Sequence, residues 1–306
     1  MHEVDRPVLR GKDDDQHLYA LEASKAWGRG DEVLLEGLHG EIHLSSDEAW
    51  QVVAPSATVT PSEHRLDFKG PMELQGPLGQ WVIRSPGLVV RMQSGVGGDA
   101  EGSMVMDSKD FGRIESTHMR WRDAGMSITM ERGVHGLAEK LAQLKAGESV
   151  LWKGRVLFWD RAACRMELSG EVRVDLRPSM ASMTSDRLEF GCGGTSPSPW
   201  YASGHVDVRQ GDSRMESDRA VFDPKTGRID AEGSVALYQA GHVLKGERAW
   251  FDTVRGHGSM GGSASSGRVM QEDGVSGSSR VRAVIVPPKS ERGVDGRNQT
   301  KESTGP

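Results

Sequence analysis

Apolar and polar residues alternate with a period of two along most of this chain, and the 3.6-residue period of a helix is nearly absent. Arg187-Leu188-Glu189-Phe190, His205-Val206-Asp207-Val208-Arg209 and Glu171-Val172-Arg173-Val174-Asp175 each set apolar side chains on one face and polar ones on the other. That is the pattern of an antiparallel strand with one wet side. In the first half, residues 19–27, 33–37, 50–55, 65–68, 81–84 and 127–131 read as further strands in a looser version of the same grammar. One stretch, 136–147, predicts a helix: Leu137, Leu141 and Leu144 share a face, and Gly147 is placed to end it. Its position near the middle of the chain predicts a connector between two β domains.

The strands repeat. A unit of the form Gly-x-apolar-x-apolar occurs at Gly70, Gly154, Gly170, Gly204 and Gly233. A second unit runs Ser185-Asp-Arg-Leu-Glu-Phe190, Ser217-Asp-Arg-Ala-Val-Phe222 and Gly246-Glu-Arg-Ala-Trp-Phe251. Its acidic position steps from Asp186 to Asp218 to Glu247, so the two units stay in register and mark a β-repeat architecture. Between them lie residues suited to turning. In Phe222-Asp-Pro-Lys-Thr-Gly-Arg228, proline fixes φ near −65° and glycine permits positive φ. Residues 210–213 and 239–242 read the same way. Strand, turn, strand at this spacing gives a meander or a jellyroll. Residues 255–279 are Gly/Ser-rich and without pattern, 280–286 read as one closing strand stopped by Pro287-Pro288, and 289–306 form a polar tail expected to be disordered.

Composition narrows the class. The chain has 306 residues, mean hydropathy −0.51, and no run near the roughly 18 apolar residues of a membrane span. Its net charge of −6 divides into −8 for 1–150 (16 Lys/Arg, 24 Asp/Glu) and +2 for 151–306 (22 and 20), so neither half has the basic surface of a nucleic-acid binder. Cys164 and Cys192 lie in no metal-ligand spacing and are equally compatible with one disulfide or two buried thiols.

No catalytic constellation emerges. His39, Glu41 and His43 would share one face of a strand but lack further ligands nearby in sequence, so no metal or other cofactor is assigned. Cys192 has no histidine context of a thiol nucleophile, and Gly95-Val-Gly97-Gly98 lacks the Lys-Ser/Thr of a phosphate loop. The tryptophans could stack on sugars, but Trp121, Trp152, Trp159, Trp200 and Trp250 lie in or beside strands, where aromatics fill core.

Residues 214–238, with aromatic-Asp, a Thr-Gly turn and Ala-Glu-Gly-Ser-Val-Ala-Leu, resemble the OstA-like repeat of periplasmic lipopolysaccharide-transport proteins of the LptA type. Residues 245–252 look like the next unit. Leu18-Tyr-Ala-Leu-Glu-Ala-Ser-Lys-Ala26 and Trp50-Gln-Val-Val-Ala-Pro-Ser-Ala57 resemble the LptC type. The resemblance implies an all-β fold of two consecutive open β-jellyrolls joined by a short helix. It divides the chain into a polar segment 1–14, an LptC-like jellyroll 15–148, an LptA-like jellyroll 149–288 and the tail. It implies no enzyme activity, a periplasmic location at or near the inner membrane, and lipopolysaccharide as partner through its lipid A acyl chains. Other transport proteins would join by β-augmentation at the strands near Tyr19 and Val281. The polar start, Met1 to Asp15, shows neither the leader peptide nor the anchoring helix with which such proteins begin.

In that reading Val172, Val174, Leu188, Phe190, Val206, Val208, Phe222, Val235, Leu237 and Phe251 face the interior and form a lipid-binding groove. The alternatives are a carbohydrate-active protein and a purely structural β-repeat protein of the envelope, in which the same residues simply pack together.

Overall fold

A computed structural model describes residues 3–12, 18–45, 48–77, 80–91, 97–109, 112–122, 127–138, 149–191, 198–261 and 282–284. The chain is all-β, an open jellyroll-like sheet of antiparallel strands. Short strands open it: β1 (Glu3–Asp5), β2 (Val8–Lys12), β3 (Leu18–Glu22) and β4 (Lys25–Arg29). Then come the long strands β5 (Glu32–Ser45), β6 (Glu48–Thr60), β7 (Arg65–Gln75), β8 (Trp81–Arg91), β9 (Gly97–Ser108), β10 (Gly112–Arg122) and β11 (Ser127–Ala138). They continue as β12 (Ser149–Asp160), β13 (Arg165–Arg177), β14 (Ala181–Gly191), β15 (Trp200–Gln210), β16 (Ser213–Asp223), β17 (Arg228–Gln239) and β18 (His242–Asp252). Two short strands, β19 (His257–Met260) and β20 (Arg282–Val284), both pair with β18.

From β5 to β18 each strand pairs with the next, a pure meander. The helix expected over 136–147 does not begin as one. Gly136, Leu137 and Ala138 end β11, paired with Trp152, Leu151 and Val150 of β12. The leucine spacing misled there because Gly136 serves a strand: a Cβ on it would run into the Trp152 ring, which lies over it. Residues 139–147 of that stretch lie outside the described residues. Pairing thus passes directly from the first half of the chain to the second.

The repeated units fall at bends rather than at strand ends. Register slips in the middle of the long pairs, for example between Ser169 and Val172, Ser203 and Val206, and Glu232 and Val235. At these points two successive residues adopt positive φ: Gly170 and Glu171, Gly204 and His205, Gly233 and Ser234. The alternate strands bend differently. Ser185 and Ser217 are buried, and each hydroxyl donates to the carbonyl two residues on, at 3.1 and 3.0 Å. Ser85 and Ser116 do the same in the first half. A buried hydroxyl thereby satisfies a carbonyl that the bulge releases from the ladder.

The bends fold the sheet into two facing layers. Trp81 on β8 and Trp159 on β12 are four strands apart, roughly 19 Å within a sheet, yet their ring centroids are 4.2 Å apart. They meet only across the interior. Arg161, in the turn after β12, likewise reaches over both Trp50 of β6 and Trp159. At the C-terminal end Ser213 donates to the Gly256 carbonyl at 2.8 Å, tying two opposite turns together.

The outermost strand at the N-terminal edge is not the one near Tyr19. β3 is covered by β2, and β4 by β1, so residues 3–12 form the edge, with Val4 and Val8 exposed. At the other edge β20 lies on β18, whereas Val281 lies outside the described residues. Residues 257–260, within the stretch read as patternless, form β19.

Candidate functional site

Aromatic-Asp pairs fix the ends of the strands that frame the interior. Asp223 accepts hydrogen bonds from the Lys225 amide and the Thr226 hydroxyl, and Asp252 from the Val254 and Arg255 amides. These Asx turns place the preceding Phe222 and Phe251 inward.

All ten sequence-assigned interior residues lie on β13–β18, and all except Phe190 are buried, none more than 5% exposed. The register sorts them into rows. Trp152, Val174, Met183, Val208, Met215, Leu237 and Leu244 are successive cross-strand partners from β12 to β18. Past the bend, Leu157, Leu168, Leu188, Ala202, Ala220, Ala231 and Ala249 form a second row across the same strands. Sequence reasoning missed Met183, Met215 and the alanine row. Their signal was positional, since each keeps the parity of an assigned neighbour once the bend is counted.

Phe190 is half-buried and belongs to an aromatic bridge. Its ring lies 6.4 Å from Trp152 and 5.7 Å from Trp200, and Trp200 lies edge-on to Phe222 at 5.3 Å. Trp152 and Phe190 stand on opposite sides of their strands' bends, so the bridge joins the two layers. The core assignment of the tryptophans holds for Trp121, Trp152, Trp159 and Trp200. Trp250 instead faces outward, with the Arg228 guanidinium 5.3 Å above its ring and His257 edge-on.

Among the described residues no Lys, Arg, Asp or Glu is buried; the polar groups that are comprise serines, threonines and His118. Charge meets this interior at Arg161, whose guanidinium lies over the Trp50 and Trp159 rings. His39 is 3.3 Å from Glu22 and His43 3.8 Å from Glu41, and no group of three metal-ligating side chains occurs among the described residues. Asp207 sits between Arg209 and Arg214, each at 2.7 Å. Burial pushes its carboxyl up, but hydrogen bonds and charge from the two arginines outweigh this and hold it below the usual value. A carboxyl whose pKa is lowered by folding stabilises the fold above its unfolded pKa, and that contribution disappears as pH falls through the folded value. Asp207→Asn is therefore expected to lose less stability than wild type on acidification from about pH 7 to about pH 3. Urea midpoints at the two pH values measure it; equal losses in both proteins would refute the coupling.

The described residues thus define an all-β, jellyroll-like sheet bent about an interior in which no Lys, Arg, Asp or Glu is buried. No family model matches the chain, and no curated protein matches it. Among solved structures it is similar to LptH, the LptA homologous periplasmic component of the conserved lipopolysaccharide transport device from Pseudomonas aeruginosa, at 16% identity and a TM-score of 0.35, over 45% of this chain and 95% of that one.

Proposed function

We propose that this protein is a non-enzymatic periplasmic carrier that shelters the acyl chains of lipopolysaccharide between its two layers on the way from the inner to the outer membrane. The observation that carries this reading is the unbroken apolar interior, whose rows cross seven strands without a charge. Equivalent positions repeated along the rows let a chain slide with little change in free energy. Burial of hydrocarbon contributes about 0.8 kcal/mol per CH₂, so one fatty chain gains roughly 10 kcal/mol.

Two further features support it. Cys164 is disulfide-bonded, a state that belongs to oxidising compartments such as the periplasm. The edge formed by β1 and β2 carries no further strand among the described residues, which leaves backbone groups for β-augmentation by a neighbouring transport protein.

The close-packed interior favours a second reading, a structural scaffold without ligand. The aromatic bridge separates the two, because layers that admit lipid must part beside Phe190. Benzoylphenylalanine at position 190 is expected to crosslink lipid A in cells, while the same probe at the outward-facing Tyr201 gives none. Mass spectrometry of the adduct reads the result. Equal yields at 190 and 201, or no lipid at either, would leave the scaffold.

A further inference from the structure

On the face opposite the interior, the outer surface of β10–β13 is hollowed into a cavity of about 610 Å³. Cross-strand pairing sets Arg113, Leu137, Leu151 and Asp175 in one row, and Glu115, His135, Lys153 and Arg173 in the next. Both leucines point outward, away from buried Trp152 and Val174, yet both are half-buried in the hollow. They form an apolar floor beneath a charged rim.

The rim charges are unequally matched. Arg113 donates to Glu115 at 2.6 Å, His135 Nε2 lies 3.1 Å from the same carboxylate, and Arg173 donates to Asp175 at 2.9 Å. Lys153 has no ion-pair or hydrogen-bond partner among the described residues. Its direct cross-strand neighbour is Arg173, a like charge. Like charges directly opposite each other destabilise a sheet, and an anion between them would relieve the repulsion. A cavity of this size suits a small molecule with an apolar body and few polar groups.

We propose that the cavity binds a small amphipathic anion, with its apolar body on Leu137 and Leu151 and its carboxylate or phosphate on Lys153 beside Arg173. Nothing in this assignment depends on the interior, which lies on the other side of the sheet.

Calorimetric titration of the full chain with octanoate, octyl phosphate, octanol and inorganic phosphate tests it. At least one of the two amphipathic anions is expected to bind about tenfold or more tightly than octanol, the difference being a charge-assisted contact. Inorganic phosphate alone should bind far more weakly than octyl phosphate. Lys153→Glu, at an exposed position, should abolish the preference for anion over alcohol, and Leu151→Ser should weaken both. Octanol binding as tightly as the anions, free phosphate binding as tightly as its octyl ester, or unchanged anion affinity in Lys153→Glu would each overturn the proposal. Lipid crosslinking at position 190 reads the interior, whereas the dependence of octanoate affinity on Lys153 and Leu151 reads this cavity, so the two readings fail separately.

Discussion

Phe251→Ala is expected to destabilise the protein by about 3–5 kcal/mol, the range for removing a fully buried aromatic side chain. Phe251 is 0% exposed on β18, directly paired with Ile229 of β17 and Gly258 of β19. Gly258 is closely overlaid by side chains: a Cβ there would stand 3.2 Å from Leu237 and 3.3 Å from Phe251. Leu237 comes from the opposite layer, so the phenyl ring is part of what holds the layers together at this end. Collapse around the vacancy is restricted from two sides, by the ladder to β17 and by the Thr253 hydroxyl, which donates to the Gly227 carbonyl at 2.7 Å. The cost should therefore fall near the full range. Guanidinium titration of wild type and variant gives the difference, and hydrogen exchange should show β19 amides losing protection first. A shift below about 1 kcal/mol would mean that the ring is not a structural contact between the layers.

Much of this arrangement is legible in the sequence, and the part that is not has a physical cause. Period-two alternation located β13–β18 and their inward residues because each strand buries one face, which is a local property. The strands β9 and β10 left no such trace. In β9 the bend at Gly102 divides the apolar positions, leaving Ala100 on one side and Met104 and Met106 on the other. Bends also disguised the repeat itself. Glu171 to Asp175 reads as a strand of its own, whereas the strand also contains Met166 and Leu168, with a four-residue step from Leu168 to Val172 across Gly170-Glu171. In the serine-type strands the step is three, from Ser185 to Leu188 and from Ser217 to Ala220, which inverts the alternation without ending the strand. The aromatic bridge and the outer cavity were beyond reach for a different reason. Trp152 meets Phe190 across two layers, and Lys153 meets Arg173 through register, and neither relation exists until the sheet is folded.

The bends themselves are the fold's most exacting positions, and Gly204→Ala should cost markedly more than Gly133→Ala. Both glycines sit at mid-strand bends with nearly the same backbone, φ +75° and +79°. A left-handed conformation costs a non-glycine residue about 1–2 kcal/mol, and that penalty applies to both. They differ in what a new methyl group would meet. At Gly133 nothing lies within 4 Å. At Gly204 the methyl would overlap Asp186 of the adjacent strand, standing 2.8 Å from its Cβ as well as against its carboxylate. Rotation of the carboxylate alone cannot relieve contact with the Cβ, so the strands must shift, adding about 1–3 kcal/mol. The displaced group also has a partner, since Asp186 lies 2.8 Å from His205 Nδ1 and its hydrogen bond and charge raise the pKa of that imidazole. A proton NMR titration of His205 should therefore show the elevation relaxed in Gly204→Ala and retained in Gly133→Ala. Equal destabilisation by the two substitutions, with the His205 titration unmoved, would show that the bends demand glycine for its backbone alone and that packing against Asp186 contributes nothing.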